Sequence, residues 1–143
     1  MTQIPRFASA ALLALDRVDE AIAAYEAALA REASLPNLRT RTYLDLPYLI
    51  ATHAIHSLYY RALEILNAHQ KELVFVADHF LWNAVHAFIA MDLGKPAIAK
   101  PYAERALEAA VRKDSGFRFH PSAGLVTTQY ADAIKKLQAC IRA

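Results

Sequence analysis

Apolar positions recur every three or four residues along most of the chain, the spacing of one face of an α-helix. Over residues 19–33 that face is Ala21, Ile22, Tyr25, Ala28 and Leu29, with Glu20, Glu26 and Arg31 off it. Over residues 47–69 it is Leu58, Tyr59, Ala62, Leu63 and Leu66, with His53, His56, Tyr60, Glu64 and Asn67 opposite. Over residues 123–141 it is Val126, Tyr130, Ile134, Leu137 and Ile141. One stretch departs from this pattern. Residues 72–94, ELVFVADHFLWNAVHAFIAMDLG, are apolar on nearly every side and hold the only tryptophan, Trp82. A helix of this kind needs neighbours on more than one side. Its polar residues His79, Asn83 and His86 fall on a single stripe, at i, i+4 and i+7.

Caps and breakers set the boundaries. A short helix over residues 7–15 is broken by Asp16-Arg17-Val18-Asp19, and Asp19 suits the N-cap of the next. Pro47 fits the first turn of a long helix over 47–69. Gln70-Lys71 forms a tight turn. Gly94 ends the apolar helix as the glycine after a C-cap does. Pro96 opens a helix to about residue 113, with Pro101 in or near its first turn or kinking it. Residues 34–47 and 113–124 read as irregular, and no stretch alternates as a strand does. The pattern predicts an all-α fold of six helices, joined mostly by short turns and therefore arranged as antiparallel hairpins.

Composition narrows the class. At 143 residues the chain reads as one domain, 1–143, and with 56% hydrophobic and 21% charged residues it reads as folded. A net charge of +2, with no basic-aromatic stripe, points away from nucleic acid. The single cysteine, Cys140, cannot form an intrachain disulfide and fits a reducing, cytoplasmic compartment. Residues 7–15 are apolar after Arg6, but charged residues follow at once where a signal peptide needs a cleavage site. Residues 73–93 are long enough to span a bilayer, yet they carry Asp78 and Asp92 besides the polar stripe. A core helix is expected there, and no membrane partner.

The helical faces also repeat. Ala28-Leu29 and Ala62-Leu63 lie 34 residues apart, as do Tyr25 and Tyr59. On these residues the chain resembles tetratricopeptide-repeat (TPR) proteins, whose period is 34. Residues 12–29 are similar to the end of a first repeat helix, the turn and the second helix, with Ala21 where the two helices cross. Residues 87–107 fit the same template, with Gly94 in the turn, Ala99 at the crossing and then Ala106-Leu107. The middle copy lacks the turn glycine, and the third follows the second by 44 residues. The resemblance implies a TPR-like superhelix capped by the last helix, and a non-catalytic protein-interaction module. It implies a groove lined by Arg6, Ala10 and Leu13 from the first unit and Leu81, Ala84, Phe88 and Met91 from the last. That lining is largely apolar, so the expected partner is a protein or peptide with an apolar segment, or a second copy of the chain.

Phe117, Arg118 and Phe119 combine the residue types that dominate interface hot spots, in a loop that could hold a partner. The alternative to a binding module is a metal protein or enzyme. His53 and His56 are i, i+3, and a hairpin about Gln70-Lys71 brings His56 near His86, a cluster suited to zinc. No HExxH, nucleophile elbow or phosphate loop accompanies them, and no cofactor is implied. Arg112 and His120 are separated by seven residues, too many for the motif of HEPN-type helical ribonucleases.

Overall fold

The computed structural model describes residues 9–35, 40–112 and 124–142, and in the first helix the side chains from Arg17 onward. The chain divides into two compact units, Met1–Thr42 and Tyr43–Ala143, where the sequence reading takes one domain. Six α-helices and no strand are present among the described residues, as the apolar periodicity predicts. No helix among them is long and apolar enough to cross a membrane.

The first unit is built on α1 (Ser9–Ser34), a single helix of 26 residues. The expected break at residues 16–19 is absent. Asp, Arg and Val each disfavour helix by only a few tenths of a kcal/mol, about 0.7 at most, and none is a glycine or proline. Interrupting the helix would add two unsatisfied ends. Residues 12–29, which the repeat template divides into two helices and a turn, therefore lie within one continuous helix.

The second unit holds α2 (Thr42–Thr52, whose first residue is the boundary), α3 (Tyr59–Ala68), α4 (Val76–Asp92), α5 (Pro96–Ala110) and α6 (Ala131–Arg142). The expected long helix over 47–69 is two helices. Pro47 sits inside α2, not at its start, and is fully buried. α2 then stops in a Schellman motif: Ile55 N–H donates to the Ile50 carbonyl (3.0 Å) and Ala54 N–H to that of Ala51 (3.2 Å). The residue in the left-handed position is Ala54, at φ 50°. No glycine marks this stop, which is why the pattern of residues does not reveal it. α4 ends in the same motif, Lys95 to Ala90 and Gly94 to Met91, with Gly94 at φ 73° as expected.

α4 is the centre of this unit, with 14 of its 17 residues buried. α5 and α6 pack on α4 and on each other, while α3 packs on α4 and not on α5. Ala99, Ala103 and Ala106 of α5 have no exposed surface, so small residues bring its backbone close to its neighbours. Trp82 ties α4 to α3 by donating from Nε1 at 3.0 Å to the Leu66 carbonyl in the last turn of α3, which also accepts the His69 amide. The start of α4 is held by Asp78, whose Oδ2 accepts from the Phe75 and Val74 amides at 3.0 and 3.3 Å. Ala77 N–H donates to the Gly124 carbonyl at 2.7 Å, tying the segment before α6 to the same end. A short 3-10 turn, Thr128–Tyr130, precedes α6, which begins at Ala131 and not near residue 123. Tyr130 lies against Phe80 of α4 and Tyr48 of α2 (ring centroids 5.3 and 5.9 Å).

Candidate functional site

The polar stripe of α4 runs from the surface inward. His79 is exposed, while Asn83 and His86, one and two turns on, are 8% and 9% exposed. Asn83 Nδ2 donates to the His79 carbonyl at 2.8 Å, which leaves its Oδ1 as a buried acceptor without a partner. His86 Nε2 is likewise buried and unpartnered. The imidazole lies between Trp82 (centroids 4.2 Å apart) and Tyr102 of α5 (4.6 Å, interplanar angle 12°). Arg105, one turn along α5, covers Tyr102 with its guanidinium 5.3 Å from the ring centroid. Burial lowers the His86 imidazole to about 4, so it is neutral at neutral pH. The inner part of the stripe meets α5, whose Tyr102 lies on His86. Continued past Ala90 it reaches Leu93, which is 51% exposed.

His53, His56 and His86 do not come together. His53 and His56 are exposed on the segment that breaks α2 from α3, and His86 is buried against aromatic rings. The hairpin of α3 and α4 is also longer than a pivot at Gln70-Lys71 allows. A 3-10 turn over Gln70–Glu72 is followed by extended chain to Phe75. This moves the register by ~2 helical turns, and His56 comes level with Asp92 instead of His86. Its Nε2 lies 3.9 Å from Asp92 Oδ2, the oxygen to which Tyr59 donates its hydroxyl hydrogen. Burial and that hydrogen bond push the Tyr59 phenol above its usual range. No group of three His, Cys, Asp or Glu side chains among the described residues is placed to hold a metal.

The residues assigned to the groove from the last repeat unit are mostly buried. Leu81, Ala84 and Phe88 have at most 1% of their surface exposed, and Met91 is half-buried. Lys136 of α6 lies over the Phe88 ring, 4.5 Å from its centroid. These residues are core because α6 and α5 cover the faces of α4 that the template leaves open. Arg6 lies outside the described residues, as do the side chains of Ala10 and Leu13, which α1 carries. Phe117, Arg118 and Phe119 lie outside them as well.

The end of the unit where α3 begins and α4 turns into α5 carries features that periodicity alone did not single out. Tyr60 is 89% exposed, beside the buried Tyr59 that bonds Asp92; Leu93 and Ile98 are about half exposed on either side of Gly94. Lys95 and Lys100, both exposed, flank Ile98. Tyr60 stood out in the sequence as an aromatic on a polar face, but the pairing of the neighbouring Tyr59 with Asp92 depends on the register of the hairpin. No known protein family, characterised protein or solved structure matches this chain.

Proposed function

We propose that the Tyr43–Ala143 unit is a non-catalytic, TPR-like helical interaction module. It docks a protein or peptide with an apolar segment against the end of the helical unit. The reading is carried by the exposure of Tyr60, Leu93 and Ile98 at one end, on three elements tied together by the Tyr59–Asp92 hydrogen bond and the Gly94 turn. Large apolar side chains gathered at the end of a short helical stack leave surface that a partner can cover. Acidic residues beside the apolar segment would meet Lys95 and Lys100. The antiparallel packing of α4 on α5 through Ala99 and Ala106, the positions the repeat template assigns to close approach, supports the TPR-like part. A cytoplasmic location belongs to the same reading.

The test replaces Tyr60, Leu93 and Ile98 by serine together. Linear peptides selected from a random display library on the full chain should bind the wild type and lose at least ~10-fold in affinity on this variant, about 1.4 kcal/mol. They should be apolar with acidic flanks. Selection of no peptide, or equal binding to the folded variant, contradicts the proposal. Concentration-dependent light scattering that the variant abolishes would assign the surface to a second copy of the chain instead.

A further inference from the structure

Asn83 Oδ1 and His86 Nε2 are two polar atoms sealed from water with no hydrogen-bond partner, one turn apart on one stripe of one helix. Leaving such an atom unmatched costs stability, and folded proteins keep few of them. Neither atom serves the packing of α4. Trp82 makes the bond to α3, and the alanines of α5 make the close approach. The stripe meets α5 at Tyr102, and continued past Ala90 it reaches the exposed Leu93.

The chemistry of the missing partner follows from the two atoms. Asn83 Oδ1 is a carbonyl oxygen and can only accept, while Nδ2 donates to the His79 carbonyl. The partner must therefore bring an N–H or O–H, and a carboxylate or phosphate does not. His86 is a neutral imidazole and can donate from Nε2 to a carbonyl. No charged side chain is buried beside them, so the matching group is neutral. A peptide bond offers an N–H donor and a C=O acceptor together. The cover over this pair is light: Tyr102 is only half-buried, and the Arg105 that lies on it is exposed.

We propose that Asn83 and His86 bind the main chain of the docked segment, with Oδ1 accepting a backbone N–H and Nε2 donating to a backbone carbonyl, after Tyr102 swings off His86. This rests on the reading of the unit as an interaction module. It adds that the segment lies along the α4 stripe, with an apolar side chain on Leu93 and its backbone reaching inward. Specificity for a neutral internal stretch of chain follows, and a terminal carboxylate is disfavoured.

The experiment uses the full chain, the variants Asn83→Leu and His86→Phe, and a linear peptide selected on the wild type. Both substitutions replace the unmatched atom with an apolar group of similar size, so each variant should unfold at a higher urea concentration than the wild type. Each should bind the peptide at least ~10-fold more weakly. Methylating one backbone nitrogen of the peptide should cause the same loss on the wild type and no further loss on Asn83→Leu. Lower urea midpoints in both variants would overturn the inference, because the pair would then serve the fold. Equal peptide binding by wild type and both variants would overturn it while leaving the interaction reading intact. Selection of no peptide, or of peptides whose binding does not depend on Tyr60, Leu93 and Ile98, would remove both.

Discussion

His86 shows how one side chain couples burial to pH. Its ordinary value is 6.5 and burial lowers it to about 4, so the unfolded chain binds the proton more tightly. The neutral folded form is therefore fully stable above pH 6.5, and stability falls as the pH drops from there to about 4. The loss attributable to this group is about 3 kcal/mol at the bottom of that window. The difference in unfolding free energy between wild type and His86→Phe, measured by urea titration across the window, isolates it, because the carboxylates cancel. The variant should gain on the wild type steadily as the pH falls. A flat difference would mean that the imidazole keeps access to water. At the same scale, His56 and Tyr59 share Asp92, which gives the start of α3 a polar anchor on the end of α4.

At the scale of elements, two helices end in the same backbone motif with different residues. α4 uses Gly94 and α2 uses Ala54. An alanine in the left-handed region costs ~1–2 kcal/mol, and glycine's greater freedom in the unfolded chain takes back part of what it relieves. Ala54→Gly should thus stabilise the unit by about 0.5–1 kcal/mol, read as a higher urea midpoint. The two glycines at positive φ should differ from each other. A Cβ on Gly94 meets nothing within 4 Å, whereas one on Gly124 would stand 2.3 Å from Phe75 Cδ1. Gly94→Ala should cost ~1 kcal/mol from backbone conformation alone. Gly124→Ala should cost ~2–3 kcal/mol, because it also displaces Phe75 from the start of α4. Equal losses would mean that this contact yields without cost. These cases also show what the residues reveal in advance. Gly94 announces its turn, and the buried face of α3 follows from its periodicity, whereas α6 buries Ala133 and Cys140 beside the expected Leu137 and leaves Ile134 and Ile141 half-buried. The stop at Ala54 and the continuity of α1 are not announced, because one depends on a residue that seldom adopts that conformation and the other on the absence of any real breaker.

At the scale of the molecule, α4 determines what the second unit can do. The near-total apolarity of residues 72–94 correctly implies a helix enclosed on several sides, and α3, α5 and α6 supply those sides. The polar stripe was also visible in the sequence as the place where a metal site and a binding module part ways. Its partners were not, since Tyr102 lies on another helix and Asp92 faces His56 only because residues 70–75 lengthen the connection. Leu81, Ala84 and Phe88, which the repeat template assigns to a groove, are buried in the core. The large exposed apolar side chains described in this unit are Tyr60, Val74, Leu93, Ile98 and Val111.

Docking of a partner segment on the Leu93 end of the unit and along the α4 stripe is open to chemical-shift mapping of the isotopically labelled full chain with a selected peptide. Saturable shifts are expected at Tyr60, Leu93 and Ile98, at the His86 ring and at the Trp82 indole N–H. Shifts confined to residues away from these, with the His86 and Leu93 signals unmoved at saturation, would contradict it.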